Sequence, residues 1–414
     1  MKSRLSLLVQ SFVRAVIVLS AIGCLPFAAL AQYETIVDNG PSSNRVDMVF
    51  LGDGYTAADH AAGTYTNHIQ GYLGYLFGGG TIVDPYPRYQ SFFNVHRIDV
   101  MSNQSGADKP GDGVYVDTAL DASYWWDGVT ERLLYVNSLK ADAALNNALA
   151  GAGFTAEQRY VTVNDNKYGG GGGKYAVYAG GNSAAHEVAL HEMGHSFSGL
   201  ADEYGGNAST YTGAEPSEPN VTKDPTGAKW EHWIGYDQPD VGVIGAYEGG
   251  RYYDHGLYRP TLDSKMRSLG QPFNAVCREQ IILDIYDLVD PLDGWLDNTS
   301  ILNDPASLWV DRIDDSVISM EWFVDDVLVA GATGSSFDLV NYGFGPGTYS
   351  ITARAYDPTG FDPIDGWVRI HTDQLEQSIS WTVVSTVPEP STICLLAMGT
   401  LPLWMLARRR ARRV

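Results

Sequence analysis

The sequence predicts an α+β unit, a mixed sheet with one chemically loaded helix, followed by a small all-β sandwich. Three observations carry this expectation. Buried-strand runs alternate with helical spacing over the first 290 or so residues, and short alternating strands replace them from about residue 300. Between the early strands and a closing helix lies "SAAHEVALHEMGHSFSGLADEY", residues 183–204, which holds three of the nine histidines in the 414-residue chain.

The elements follow in order. "NRVDMVFLGDGYTAADH" reads as a buried strand, a Gly-containing turn and a helix start. "FFNVHRIDV" reads as a second, alternating strand, and "TERLLYVNSLKADAALNNALA" has helical spacing. "QRYVTVNDNKYGGGGGKYAVYAGG" reads as strand, flexible glycine loop, strand, and leads into the histidine helix. Residues 205–275 show little periodicity. "CREQIILDIYDLVD" closes the unit as a helix with Ile281, Ile282, Ile285 and Leu288 at core spacing. "DPLDG" marks a boundary. Beyond it Tyr349, Ile351, Ala353 and Ala355 alternate with polar residues, and Trp322 and Phe344 are expected core anchors. Short strands with turns between them predict a small immunoglobulin-like or fibronectin-like β-sandwich. The expected division is 1–31, 32–295, 296–386 and 387–414.

The composition, 44% hydrophobic and 18% charged, is that of a folded chain rather than a disordered one. Formal net charge is -22, and both ends are basic, so the stretch between them is more acidic still. Nucleic acid is excluded as a partner for such a surface. Divalent cations suit it, a structural Ca²⁺ among them. The cysteines are Cys24, Cys277 and Cys394; only Cys277 lies between the terminal segments, so no disulfide is expected there.

Both ends read as addresses. Residues 1–31 have a basic start, an apolar stretch and "ALA" before Gln32, the pattern of a secretory signal peptide. Residues 391–407 are apolar and just long enough to cross a bilayer, and arginines follow. Val387-Pro388-Glu389-Pro390, the apolar segment and the Arg-rich tail together resemble the PEP-CTERM sorting signal of Gram-negative bacteria. That resemblance implies processing by an exosortase, with membrane contact through the C-terminal helix beforehand. Residues 32–387 are expected to work outside the cytoplasm, at the cell surface or beyond it.

His191 and His195 stand four apart, so on a helix they share one face and both can bind a single Zn²⁺. Glu192 lies about 100° around the helix from His191. From there it reaches a water at the metal without being a ligand, and acts as general base for attack on a carbonyl. Catalytic zinc takes three protein ligands and keeps one open position. Gly199 can end the helix in the left-handed conformation, and either Asp202 or Glu203 beyond it can supply the third ligand. His186 falls well off the ligand face and is expected to pack or face solvent.

With "VDMVFLGDGYT", "FFNVHRIDVMSNQSG", "YGGGGGKYAVYAGG", "HEMGHSFSGLADEY" and "LYRPTLDSKMRSLGQPFNAVCRE", the chain resembles the IgA-peptidase family of metzincin-like zinc metallopeptidases. The resemblance implies an endopeptidase with His191, His195 and Asp202 as ligands, Glu192 as base, and a methionine beneath the metal, for which Met266 is the candidate. Asp202 is the favoured third ligand because its place after the glycine mirrors that of metzincins, although the loop here is one residue longer. A disulfide that family members carry near the methionine has no counterpart, since Ser264 and Phe273 stand there and Cys277 is alone.

Tyr258 and His255 are candidate oxyanion or substrate groups. The glycine run is expected to rim the cleft, where a peptide substrate adds as a strand. The alternative function is a surface adhesion or matrix-binding protein with an inactive peptidase-like unit; a metal-dependent amidase acting on cell-wall peptides is a third reading.

Overall fold

A computed structural model describes residues 33–362 and 366–386. The proposed signal peptide and the PEP-CTERM-like tail lie outside those residues. Among the described residues no helix is long and apolar enough to cross a membrane.

The first unit is built on a six-stranded mixed sheet. Its strands are β1 (Tyr33–Val37), β2 (Val46–Asp53), β3 (Phe93–Ile98), β4 (Gln158–Val163), β5 (Gly170–Gly171) and β6 (Ala176–Ala179), in spatial order β1-β3-β2-β4-β6-β5. The four inner strands run parallel, and β1 and β5 close the edges antiparallel. Every residue of β2 is buried, as expected of a parallel strand covered on both faces. Val46, Met48 and Phe50 point into the larger core, and Val49 and Leu51 into a second one.

Five helices accompany the sheet: α1 (Ala57–Ala61), α2 (Thr64–Gly78), α3 (Ser138–Ala148), α4 (Ala185–Ser198) and α5 (Ala275–Tyr286). Helix α3 supplies Ala141, Leu145 and Ala148 to the second core, while α2, α4 and α5 pack into the larger one. Helix α3 is shorter than the spacing of 130–150 predicts. Asn137 caps its start through Oδ1, and residues 133–135 are drawn into bridges with Gly170 and Ser123 instead. Helix α5 ends at Tyr286, which leaves Leu288 41% exposed rather than in the core.

The stretch 205–275 is more regular than its sequence. It holds β7 (Asn207–Thr210), β8 (Asp237–Gln238), β9 (Gly242–Val243), β10 (Tyr247–Gly250) and β11 (Tyr253–Arg259), with β10, β11 and β7 forming a small sheet.

The remaining strands form two sheets. One joins β12 (Leu292–Trp295), β14 (Leu308–Arg312) and β17 (Ser336–Phe337). The other joins β13 (Leu302–Asn303), β15 (Ser319–Val324), β16 (Val327–Leu328), β18 (Gly347–Tyr356) and β19 (Glu376–Ser385). Trp322 of β15 is fully buried, stacked on Phe337 at 5.2 Å and Trp381 at 5.8 Å. Phe344 is half-buried against Tyr349. Strand β12 pairs with β14, so the second pair of sheets recruits residues from before 296.

The two parts of the chain also share buried polar contacts. The fully buried Asp357 carboxylate accepts from Arg88 (2.7 Å), Tyr89 (2.6 Å) and Tyr286 (3.0 Å). Arg45 pairs with Asp293 at 2.7 Å.

Candidate metal centre and cleft

Helix α4 presents His191 and His195 one turn apart and ends at Gly199, whose φ of 58° is the left-handed cap the sequence suggests. The Leu200 amide closes the cap on the Gly194 carbonyl at 3.0 Å. The chain then doubles back, and three contacts fix the bend. Asn220 clamps Ala201 by accepting from its amide (2.8 Å) and donating to its carbonyl (2.9 Å). The Glu203 amide donates to Met266 O (2.8 Å), and the Arg251 amide donates to Asp202 O (2.8 Å).

This bend brings Asp202 Oδ1 to 3.0 Å from His191 Nε2 and 3.3 Å from His195 Nε2, and the two Nε2 atoms lie 3.2 Å apart. Tetrahedral coordination with bonds of about 2.0–2.1 Å separates neighbouring ligand atoms by roughly 3.3 Å, so the donor set fits a zinc-sized ion. Among the described residues this is the one group of three metal-capable side chains whose donor atoms all lie within 4.8 Å of one another.

Each imidazole is oriented from behind. His191 Nδ1 donates to Lys265 O (3.0 Å) and His195 Nδ1 to Leu200 O (2.6 Å), which turns both Nε2 atoms toward Asp202. Burial works against a charge on Asp202, yet the bonds from His191 and His195 hold its carboxyl far below the usual range. Burial likewise works to lower His195, but the bond to Asp202 and the Asp202 and Glu192 charges hold it up at about 9. A metal entering here must displace that proton, so binding is coupled to pH.

Glu203 is turned the other way. Its fully buried carboxylate accepts from Ser264 Oγ (2.6 Å), Asn220 (3.0 Å), Asn274 (2.9 Å) and the Cys277 thiol (3.4 Å). It ties the bend to the turn at 264–266 and to the start of α5.

Met266 is fully buried beneath the helix. A Cβ on Gly194 would stand 2.7 Å from its sulfur, so the glycine of "HEMGH" is what admits the methionine. Lys265, also buried, bonds Glu187 on the same helix as the histidines, and Glu187 bonds Tyr75 and the Gly270 amide as well (the last at 2.7 Å). Glu187 thereby anchors the turn whose carbonyl orients His191. His186 packs against the rings of Tyr72 and Tyr75 on α2, away from the cleft.

Glu192 is 7% exposed and borders both cavities that flank the three ligand candidates, of about 310 and 290 Å³. Burial raises its carboxyl above the ordinary range, against the pull of His191 and His195.

Within the glycine run Gly170 and Gly171 form a short packed strand, β5, rather than a flexible loop. Its outer edge at Gly170 already exchanges bonds with Arg132 O (3.1 Å) and the Leu134 amide (3.2 Å). A Cβ on Gly170 would meet Val188 Cγ1 at 2.4 Å, and one on Gly172 would meet His195 Cβ at 2.6 Å and Glu192 Oε2 at 2.9 Å. These glycines are required by close approach to α4. Gly172→Ala is therefore expected to push His195 and Glu192 out of place. Peptide cleavage should drop about 100-fold for a displacement on the order of 1 Å, with a smaller loss in thermal midpoint. Steady-state kinetics beside a melting curve check it.

Tyr258 and His255 do not line the cleft. Both lie on β11, where His255 is exposed and pairs with Glu248 at 3.4 Å. Their place is taken by Tyr204 and Tyr252, with Arg132 and Tyr135 beside them. Arg132 donates to the Tyr204 hydroxyl (3.3 Å), and the Tyr204 and Tyr252 rings meet edge-on at 5.1 Å. Tyr204 follows the "ADE" bend directly, which is a signal of sorts; Tyr252 and Arg132 arrive through non-local folding and have none.

A family model described as IgA Peptidase M64 matches residues 35–241 and 236–285. No curated protein matches the chain. Among solved structures, a Bacteroides ovatus mixed-linkage glucan utilization locus protein, SGBP-B, in complex with a mixed-linkage heptasaccharide, aligns at 15% identity with a TM-score of 0.15. The alignment covers 24% of this chain and 22% of that one, a likeness that carries no argument.

Proposed function

The chain belongs to the IgA peptidase M64 family, and from that membership we propose that it is an exported, zinc-dependent endopeptidase. Its substrate is a protein or peptide; the immunoglobulin in the family's name belongs to the family and is not carried over. The observation that supports the reading most is the mutual spacing of 3.0–3.3 Å among His191 Nε2, His195 Nε2 and Asp202 Oδ1, with Glu192 at the edge of the same cavities.

His191, His195 and Asp202 would hold the ion, with Met266 as an apolar floor beneath them. When bound, the ion supplies Lewis acidity, polarising a peptide carbonyl and making water a nucleophile near neutral pH. Glu192 takes the proton of the attacking water and returns it to the departing amine. It lies beside Gly170 and Gly172 and lines both cavities. Tyr204, hydrogen-bonded to Arg132, and Tyr252 line the same cavity as the ligand candidates and are the proposed donors to the developing oxyanion. Lys265 O and Leu200 O keep the imidazoles aimed.

In this reading residues 32–295 form a metzincin-like peptidase unit and 296–386 an immunoglobulin-like accessory unit. Residues 1–31 direct export, and 387–414 anchor the chain until an exosortase-type enzyme processes it at the surface of a Gram-negative-type envelope.

Purified protein should degrade casein or gelatin, lose that activity with a chelator and regain it with Zn²⁺. Wild-type protein that binds zinc stoichiometrically yet cleaves no protein or peptide under any condition would instead favour the surface-binding alternative.

A further inference from the structure

Arginines wall the cleft of this acidic chain. Net charge is -22, yet Arg132, Arg251 and Arg267 all border the cavities beside Glu192. Arg251 is paired with Glu218 at 3.2 Å. The other two have no carboxylate within hydrogen-bond distance, although Arg267 forms an ion pair with Asp263. Arg132 has the neutral Tyr204 hydroxyl at 3.3 Å, and the nearest acid to Arg267 is Asp263 at 3.8 Å, beyond hydrogen-bond reach.

Both border the cavity of about 290 Å³, whose other walls include Tyr168, Val188 and Leu269. Glu192 is the one acid that lines it among the described residues. Two guanidinium groups against the single Glu192 carboxylate leave this cavity positive. It is large enough for a short acidic side chain. Both arginines are exposed, and a guanidinium offers a planar set of donors that matches a carboxylate.

We infer that this cavity binds a carboxylate of the peptide substrate next to the scissile bond, held by Arg132 and Arg267. The inference rests on the peptidase reading above. The carboxylate is either an Asp or Glu side chain or the peptide's own C-terminus. Because a charged hydrogen bond outweighs a neutral one, the preference for Glu over Gln at that position should be about tenfold in kcat/KM. It should shrink as salt rises.

The test uses the full, zinc-loaded chain and fluorogenic peptides blocked at both ends, identical except for Glu, Gln or Lys at each position flanking the cleaved bond. A matched set has a free C-terminus. Preference for Glu in the blocked set identifies a side chain; a gain seen only with the free end identifies the terminal carboxylate. Arg267→Glu should invert the Glu-to-Lys ratio in the first case and abolish the free-end gain in the second. Equal cleavage of all the peptides, or unchanged ratios in Arg267→Glu, overturns the inference while leaving the peptidase reading intact. Equilibrium binding of the same peptides to the Glu192→Ala protein reads the preference without turnover. If no peptide is ever cleaved but carboxylate peptides bind about tenfold tighter, the peptidase reading fails and only the carboxylate-binding part of the inference stands. Equal binding sinks it.

Discussion

Glu192→Gln is expected to leave zinc bound and to lower peptide cleavage by about 10²–10⁴-fold, the range a lost general base costs. The substitution keeps the side chain's size and removes its basicity. Glu192 contributes no donor atom to the group of His191, His195 and Asp202, so metal content should not change. Because the base acts in the transition state, the loss should fall on kcat with little change in KM. Parallel measurement of kcat, KM and bound zinc checks it. Full activity in the Gln variant would remove Glu192 from the chemistry, and simultaneous loss of zinc would make it a structural residue.

Asp202→Ala is expected to abolish tight zinc binding and, with it, activity. Its carboxylate is the negative member of the set, and it closes the gap between two imidazoles that are already aimed by Lys265 and Leu200. Two histidines alone leave a zinc site one protein ligand short. The effect should exceed that of Glu203→Gln on metal binding, because Glu203 faces Ser264, Asn220 and Asn274 and not the cleft. Glu203→Gln should instead lower stability, since a carboxylate that accepts from four side chains becomes a group that must donate to some of them. Competition with a chromophoric chelator gives the zinc affinities, and thermal melts give the stabilities. Equal zinc affinity in wild type and Asp202→Ala would transfer the third-ligand role elsewhere.

The parts of this picture that sequence revealed are those governed by local rules. The apolar run Val46–Leu51 reads as a covered strand because both faces must be dry. The four-residue spacing of His191 and His195 reads as one helix face, and Gly199 reads as the helix stop because only a left-handed residue turns the chain there.

What stayed hidden depends on distant partners. Residues 130–136 have helical spacing, but Leu133 and Tyr135 are drawn into bridges with Gly170 and Ser123. "YDHGLYR" contains a glycine and no clean alternation, yet it forms β11 because β10 and β7 flank it. Five consecutive glycines suggest flexibility. The cause at two of them, side chains of α4 within 3 Å of where a Cβ would sit at Gly170 and Gly172, appears only once the strand and the helix are packed together. For the same reason His255 and Tyr258 were expected at the cleft, whereas Tyr204 and Tyr252 occupy it.

The most direct measurement is metal analysis of the purified chain after dialysis against metal-free buffer and reloading with Zn²⁺. Close to one zinc per chain is expected, retained in Glu192→Gln and lost in a His191→Ala, His195→Ala double variant that still melts cooperatively. A folded wild-type chain that takes up no stoichiometric zinc, or one that keeps its zinc when both histidines are gone, would contradict the zinc assignment.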